Sequence, residues 1–261
     1  MRAVVAGLNV FPIKSGGAVA LAEAALTPDG LRHDRAFMLV RPDGRHLSQR
    51  EVPELALLRP EYDGVKLTVH TPLAGTPLVC EAADGPARDV TVHRRPCLGI
   101  DQGEDAAAWF SSVLGLPCRL VRFTGTRPTR LGDGTLTYAD GYPLSVLSAE
   151  SLDDLNHRMD ARLPMSRFRP NIVLRGLGPY GEDAVTRLRA TGADIELIRP
   201  CGRCVIINTD QETARRAPHP LRALAGYRTQ LFDGAREVMF GRLGIPRAPG
   251  VLRVGDELTA S

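Results

Sequence analysis

The chain has 261 residues, of which 43% are hydrophobic, and it carries a formal net charge of +3 at neutral pH. This length and apolar content suffice for one large domain or two modest ones with an ordinary core. The small charge, spread along the sequence rather than gathered in a basic block, argues against nucleic acid as a partner.

The N-terminal stretch MRAVVAGLNVFPIK is apolar but short. It lacks the cleavage pattern of a signal peptide and falls short of the roughly 18 apolar residues of a membrane span. We therefore expect a cytoplasmic protein with no membrane partner. The five cysteines are odd in number and accompany no export signal, which predicts reduced thiols rather than a disulfide framework.

Short strand-like runs cut by proline and glycine dominate the chain up to about residue 95, and their spacing predicts a small twisted sheet or barrel. Residues 103–116 and 148–159 have apolar residues at helical spacing, which predicts two amphipathic helices. Strand signals then return, including CVIINTD and the closing PGVLRVGDEL, with a short helix at PLRALAGYR. The expected fold class is β-rich α+β.

The segment RPCGRCVIINTD contains a CxxC pair, Cys201 and Cys204, that has several readings. A redox dithiol normally lies where a strand enters a helix, whereas here the second cysteine precedes a β-branched run. A structural zinc site needs two more ligands, and Cys80, Cys97 and Cys118 stand alone in the sequence. Two inert thiols at the start of a strand, or one soft ligand for another metal, also remain open.

Four other segments carry candidate polar residues. FPIKSGGAVAL places Lys14 and Ser15 on a glycine-rich loop, which is a group of donors suited to a phosphate. GLRHDRAFMLV places Arg35 before a strand, YADGYPLSVL places Asp140 in a turn, and FRPNIVLRG places Arg169 and Asn171 beside a proline. Each segment also has an ordinary structural explanation, such as a surface arginine or a turn-capping aspartate.

Together and in this order, the five segments resemble the MOSC family, in the branch with an N-terminal β-barrel domain that includes the mitochondrial amidoxime-reducing component and its bacterial relatives. The resemblance covers nearly the whole chain, from FPIKS to PGVLRVGDEL. It implies a MOSC N-terminal β-barrel domain at residues 1–120 and a MOSC domain of β-barrel type with a few helices at residues 121–261.

The resemblance further implies a molybdenum cofactor, a pyranopterin whose metal takes one protein cysteine as a ligand. In the family's motif that ligand is the second cysteine, which is Cys204 here, and we expect Cys201 not to bind metal. A thiolate is a soft donor of the kind that such metals select. The other expected cofactor contacts are Lys14, Ser15, Arg35, Gly141, Tyr142, Arg169, Asn171, Gly202 and Arg203. Mutation of one of the arginines should weaken cofactor retention more than fold stability.

The chain departs from the family pattern in two places. Gly141 and Tyr142 stand where the animal proteins have a Thr-Ser pair, and Gly202 replaces a serine often seen between the cysteines. Arg203, beside the ligand, is expected to keep the thiolate ionised and to bind a phosphate. Asp140 is our candidate proton donor or orienting residue, together with Cys204 in the catalytic set.

The activity implied by the resemblance is reduction of N-hydroxylated compounds, such as hydroxylamines, amidoximes or N-hydroxylated base analogues, to amines, amidines or bases. The chain has no four-cysteine cluster motif, so electrons are expected from a separate ferredoxin-type or flavin reductase protein. The alternative is a carrier of molybdenum cofactor or sulfur that has no turnover of its own.

Overall fold

The computed structural model describes residues 1–131, 133–217 and 219–261. The first eleven strands in chain order are β1 (Arg2–Val10), β2 (Val19–Leu21), β3 (Glu23–Thr27), β4 (Gly30–Leu31), β5 (Phe37–Val40), β6 (Arg59–Tyr62), β7 (Lys66–His70), β8 (Leu78–Glu81), β9 (Ala87–Val92), β10 (Arg95–Asp101) and β11 (Arg119–Thr124). The others are β12 (Leu144–Ser148), β13 (Ile172–Arg175), β14 (Arg187–Ala190), β15 (Ala193–Arg203), β16 (Thr229–Phe232), β17 (Ala235–Ala248), β18 (Gly250–Arg253) and β19 (Glu257–Ala260). The α-helices are α1 (Glu104–Leu114), α2 (Ala149–His157) and α3 (His219–Arg228), and short 3-10 segments lie at Pro53–Leu57, Met165–Phe168, Gly181–Ala184 and Val205–Asn208.

Seven strands form a closed barrel in the order β12-β13-β1-β19-β14-β15-β17, which the pairing of β17 with β12 closes. The β12–β13 pair is parallel and the other pairs are antiparallel. Side chains alternate between buried and partly exposed along β15, as expected for a strand with one face in a barrel. The interior is filled by aliphatic residues such as Val5, Leu8, Val146 and Ile195.

The rest of the N-terminal part is an open half-barrel. It contains a four-stranded sheet, β5-β11-β10-β9, and a three-stranded sheet, β6-β7-β8. Helix α1 buries Ala106, Ala107 and Phe110, and it ends at Gly115, whose φ of 67° is a left-handed conformation that glycine adopts without strain. The predicted β-rich α+β fold with two barrel-like parts and a few helices is confirmed.

Strand β1 belongs to the C-terminal barrel, where it pairs with β13 and β19. The chain then runs directly to the N-terminal sheet, where Ile13 bridges to Phe37 and the Lys14 amide donates to the Phe37 carbonyl at 2.8 Å. The two parts therefore meet at residues 11–17. The boundary at residues 120 and 121 stays a prediction.

No helix in the described part of the chain is both long and apolar enough to cross a membrane.

Candidate functional site

One open cavity, with a volume of about 200 Å³, lies where the barrel meets the half-barrel. Loops that follow β1 and precede β5, β12 and β13 form its walls, together with the end of β15. The structure brings every candidate residue of the sequence analysis to this lining: Lys14, Ser15, Arg35, Asp140, Gly141, Tyr142, Arg169, Asn171, Gly202, Arg203 and Cys204. Five separate segments of sequence thus converge on one place.

The loop after β1 places Lys14 in the cavity wall with only 6% of its surface exposed. Its Nζ donates to the Tyr138 carbonyl at 2.9 Å and forms an ion pair with Asp140. Burial lowers the pKa of Lys14, and the Asp140 carboxylate opposes that shift. Ser15 has a left-handed φ of 66°, and its carbonyl accepts from the Gln49 side chain at 2.8 Å.

Asp140 lies at the rim of the cavity, where 57% of its side chain is exposed. Its Oδ1 is 3.0 Å from His93 Nε2 and also accepts from Lys14. Desolvation by the surrounding protein would raise the pKa of Asp140, but the Lys14 cation and the His93 hydrogen bond outweigh it and hold this pKa well below the ordinary value. The carboxylate is therefore ionised at neutral pH.

A buried arginine fixes the backbone that presents Asp140. Arg127 is 3% exposed, and its Nη1 donates to the carbonyls of Thr137 and Ala139, the latter at 3.0 Å. Gly141 follows, and its carbonyl accepts from the Arg130 amide at 3.0 Å. Tyr142 is buried, which raises the pKa of its phenol.

Arg35 and Arg169 both lie over the ring of Phe11, with Cζ at 4.4 Å and 4.2 Å from its centre. Arg35 also pairs with the buried carboxylate of Asp34. Arg169 donates to the Gly16 carbonyl at 2.7 Å. Burial, followed by the repulsion of Arg35, lowers the pKa of Arg169 to about 9. The two arginines therefore stabilise the wall of the cavity as well as charging it.

The Asn171 side chain joins strands rather than pointing freely into the cavity. Its Oδ1 accepts from Arg35 Nη1 at 3.0 Å and from the Ser145 amide at 3.2 Å. Its Nδ2 donates to the Asn9 carbonyl at 3.1 Å. Asn171, in the loop before β13, thus connects strands β1 and β12 with the Arg35 side chain.

The CxxC segment begins at the end of β15 and leaves it as a 3-10 turn. The predicted strand at CVIINTD is wrong, because Val205–Asn208 form a 3-10 segment that begins directly after Cys204. β-Branched side chains favour strands only weakly when tertiary contacts decide otherwise. Cys201 is buried in the strand, which raises the pKa of its thiol, whereas Cys204 is half-buried at the cavity. Both cysteines line the cavity, and Cys204 is the more exposed of the two.

Arg50, which the sequence analysis did not single out, is the guanidinium at the Cys204 thiol. Its Nη2 lies 3.2 Å from Cys204 Sγ. Arg203 instead donates through Nε to the Phe240 carbonyl at 2.8 Å and through Nη1 to the Phe168 carbonyl at 2.7 Å. Its Nη2 is buried with no hydrogen-bond partner among the described residues.

Gly202 lies in the strand beside a charged pair. A Cβ at this position would be 2.0 Å from Glu237 Oε2, and that carboxylate accepts from Arg199 Nη2 at 2.9 Å. In this chain the Arg199–Glu237 pair fills the space that a side chain at residue 202 would need.

The lining also contains Ser48, Gln49, Arg50 and Arg167, which sequence reasoning missed. Gln49 is fully buried and exchanges two hydrogen bonds of 3.0 Å with the amide of Gln211, which joins the N-terminal part to the C-terminal part. The only sequence signal is a polar run, LSQRE, after a hairpin, and such a run is typical of an exposed loop.

Positive charge dominates the cavity. Its described lining contains six cations and one carboxylate: Lys14, Arg35, Arg50, Arg167, Arg169 and Arg203 against Asp140. Such a set favours an anionic ligand with planar acceptors, and the unpartnered Nη2 of Arg203 provides a free donor. The Cys204 thiol adds a soft donor. These residues fit a phosphate-bearing cofactor whose metal takes one thiolate; the described residues contain no cluster of three or more His, Cys, Asp or Glu for a metal.

The fold and the site define a two-part β-rich protein, in which a closed barrel and a half-barrel share a cation-lined cavity with a half-buried cysteine in its wall. The MOSC N-terminal beta barrel domain matches residues 2–117, and the MOSC domain matches residues 133–259. The chain belongs to the MOSC family, in the branch that is similar to the mitochondrial amidoxime-reducing components.

Among its relatives, mitochondrial amidoxime-reducing component 1 of Mus musculus is 32% identical over 97% of this chain and 80% of that protein. The molybdenum cofactor sulfurase of Danio rerio is 30% identical over 85% of this chain but only 30% of that protein. Among solved structures, the YUAD protein of Bacillus subtilis aligns over 99% of this chain and 94% of that chain, with 12% identity and a TM-score of 0.47.

Proposed function

We propose that this protein is a molybdenum-cofactor oxidoreductase that reduces N-hydroxylated compounds to amines or amidines, with electrons from a separate ferredoxin-type or flavin reductase protein. The observation that carries the proposal is the cation-lined cavity with the half-buried Cys204 at its wall. The 32% identity to an amidoxime-reducing component over nearly the whole chain supports this reaction class.

Cys204 would be the protein ligand of the metal. The partly free donors around it would hold the anionic part of the cofactor, above all Arg203 through its unpartnered Nη2 and Lys14 through its third N–H. When bound, the cofactor would supply the two-electron removal of oxygen from an N–O bond. In the overall reaction an N-hydroxy group, two electrons and two protons give an N–H group and water.

The chain's own residues prepare this site in three ways. Gln49 and Gln211 join the two parts of the protein and fix the segment that carries Arg50 against Cys204. Arg35 and Arg169, packed on Phe11, give a rigid cationic wall. Asp140 provides the single carboxylate of the described lining, at the exposed rim of the cavity.

The test is the metal content of purified protein from a host that makes molybdenum cofactor. We expect about one molybdenum per chain in the wild type, a large loss in Cys204→Ala and a small change in Cys201→Ala. Cys97→Ala is the matched control, because Cys97 is a buried thiol of the four-stranded sheet. Loaded protein should reduce a hydroxylamine with a supplied electron donor. Equal molybdenum in wild type and Cys204→Ala would contradict the role of Cys204.

A carrier function is the second candidate, and the similarity to molybdenum cofactor sulfurases favours it. The chain covers only 30% of the Danio rerio sulfurase, so that resemblance concerns one region of a longer protein. A carrier would release cofactor readily on dilution and show no turnover with any reduced donor. Retained cofactor together with turnover would support the reductase instead. A disulfide oxidoreductase would lose activity equally on mutation of either cysteine.

A further inference from the structure

The proposed reduction takes two electrons, and a ferredoxin-type carrier delivers one electron at a time. Two reduced carriers must therefore dock and leave in turn for each N–O bond that is cleaved. Encounters of this kind use small surfaces with complementary charge rather than large apolar interfaces. The inference that follows rests on the proposed function and concerns the surface on which the carrier docks.

The chain reaches the protein surface directly after Cys204, the proposed metal ligand. Val205 follows Cys204 in the chain and is 50% exposed, whereas Ile207 of the same 3-10 segment is buried. Because electron transfer slows steeply with distance, a carrier should dock where the ligand lies close to solvent. Val205 provides a path of one residue from the ligand to an exposed side chain.

The loop that follows this 3-10 segment presents positive charge beside it. Arg215 and Arg216 are exposed, and neither guanidinium pairs with a carboxylate in the part of the chain that the structure describes. The Ala217 amide donates to the Asn208 carbonyl at 3.0 Å, which folds the loop back onto the 3-10 segment. The two arginines are therefore available to an acidic partner near Val205.

Helix α3 adds a third exposed arginine to this region. The Leu221 amide in its first turn donates to Asn208 Oδ1 at 3.1 Å, so the helix begins against the same 3-10 segment. The next residue, Arg222, is exposed and has no carboxylate partner among the described residues. We call the following residues the arginine face: Val205, Arg215, Arg216 and Arg222.

The carboxylates of the adjoining loop are already paired with arginines outside the arginine face. Asp210 lies 2.8 Å from Arg167 Nη2, and Glu212 lies 2.8 Å from Arg59 Nη2. The sequence of α3, HPLRALAGYR, contains no acidic residue. The charge of the face is therefore not cancelled by its own surroundings.

Arg50 and Arg216 connect the arginine face to the thiol. Arg216 donates to the carbonyl of Gln49, the residue before Arg50. The Arg50 Nη2 lies 3.2 Å from Cys204 Sγ. The face thus borders the cavity at the point where the proposed metal ligand lies.

We propose that the arginine face is the docking site of an acidic, ferredoxin-type electron carrier. Carboxylates of the carrier pair with the guanidinium groups, and Val205 makes the apolar contact. Each docked carrier is oxidised by one electron. Two successive dockings supply two electrons, and two protons from water complete the conversion of an N-hydroxy group to N–H and water.

The kinetic test uses molybdenum-loaded protein, a hydroxylamine and an acidic [2Fe–2S] ferredoxin that is kept reduced by its NADPH-dependent reductase. Reduced viologen, a small donor that needs no docking surface, gives the reference turnover. Electrostatic steering raises association rates about 10-fold to 10³-fold. The double variant Arg215→Glu and Arg222→Glu should therefore lower kcat/KM for the ferredoxin roughly 10-fold at low salt, while turnover with viologen should not fall.

Arg175→Glu is the matched control. Arg175 is also exposed and without a carboxylate partner in the described structure, but it lies at the end of β13 that is remote from the cavity residue Asn171. This variant should keep the wild-type kcat/KM for the ferredoxin. The reductase without ferredoxin is the blank, and it also tests a flavin protein as the direct donor.

A second measurement does not depend on turnover. Titration calorimetry with oxidised ferredoxin should give a Kd that rises steeply with ionic strength in the wild type, because salt screens exposed charges. The double variant should bind the ferredoxin roughly 10-fold more weakly at low salt. A Kd that changes neither with salt nor with the two substitutions would contradict docking on the arginine face.

The outcomes separate the two proposals. A wild type that holds no molybdenum and reduces nothing with viologen overturns the proposed function, and with it the role of the face in this reaction. A wild type that turns over with viologen overturns the docking site alone if it accepts no ferredoxin, if the double variant uses ferredoxin equally well, or if the reductase suffices by itself. A loss confined to ferredoxin and to the double variant supports the docking site.

Discussion

Gly202→Ala tests whether the Arg199–Glu237 pair occupies the space behind the CxxC segment. The added Cβ would lie 2.0 Å from Glu237 Oε2, far inside contact distance, so the carboxylate must move. Arg199 is 5% exposed and would lose the hydrogen bond of 2.9 Å that it donates to Glu237. The backbone itself can accept alanine, because Gly202 does not have a positive φ.

The cost follows from what remains around Arg199. Removing one partner of a fully buried ion pair costs about 3 to 5 kcal/mol. Here the Glu237 side chain is 29% exposed and can rotate towards solvent. Arg199 also keeps a hydrogen bond of 3.2 Å to the Pro200 carbonyl and its position 4.0 Å over the Phe232 ring. We therefore expect Gly202→Ala to lower the free energy of unfolding by about 1 to 2 kcal/mol.

Urea unfolding and thermal melting measure this cost, which corresponds to a decrease in Tm of roughly 2 to 4 °C for a chain of this size. Gly75→Ala is the matched control, because a Cβ there meets no atom of the described structure within 4 Å. Glu237→Ala should cost a similar amount to Gly202→Ala. Since the clash is then absent, the double variant should be no less stable than Glu237→Ala alone. Additive costs in this cycle would refute the reasoning.

Three further predictions concern the surroundings of the cavity. Burial and the Lys14 cation lower the pKa of His46 to about 4, so the folded protein binds fewer protons than the unfolded chain between about pH 4 and 6.5. The free energy of unfolding should therefore fall as pH drops from about 6.5 to about 4. Urea titrations of His46→Gln should show a weaker dependence of this free energy on pH. A slope as steep as that of the wild type would contradict it. Because the pKa of Asp140 is lowered in the folded protein, the ionised carboxylate stabilises the fold above its ordinary pKa, and this stabilisation is lost as pH falls through the folded-state pKa. The Tm difference between wild type and Asp140→Asn should therefore persist down to about pH 4 and become smaller below it. A difference that vanishes already near neutral pH would show that Lys14 does not hold the carboxylate. Tyr138→Phe removes the bond of 2.9 Å from a fully buried hydroxyl to the Leu98 carbonyl and should cost about 1 kcal/mol in thermal unfolding. The exposed hydroxyl of Tyr62, which bonds to the Gly64 carbonyl, is its control, and an equal cost in Tyr62→Phe would argue against the effect of burial.

Local sequence signals could predict the parts of this fold that local physics determines. The acidic start, apolar spacing and terminal Gly115 mark α1, and the alternating residues of β15 mark a strand with one buried face. The error at Val205–Asn208 has the same origin, because a run of Val and Ile favours a strand until a buried contact requires a turn. The side chain of Ile207 is 3% exposed and packs under α3, which is a non-local contact.

The candidate site could be located from the sequence only where residues belonged to recognisable segments. Arg50 and Gln49 lie outside those segments, and their role depends on pairing with Cys204 and Gln211, more than 150 residues away. A buried polar side chain looks like a surface one until its partner is known. The sequence analysis assigned Arg203 to the Cys204 thiol because the two residues are neighbours in the chain. In the structure, Arg203 donates instead to the carbonyls of Phe240 and Phe168, which are distant in sequence.

The position of β1 explains why both parts of the chain are needed for one cavity. β1 is a barrel strand between β13 and β19, so the N-terminal residues complete the C-terminal barrel. The next residues, including Lys14, leave that barrel and bond to the N-terminal sheet at Phe37. The Gln49–Gln211 amide pair joins the parts again beside Ser15, whose carbonyl accepts from Gln49. The distance between Arg50 and Cys204 therefore depends on two connections between the parts, the chain segment after β1 and the Gln49–Gln211 pair. Weakening either connection should change the surroundings of the Cys204 thiol before it changes the core of either part.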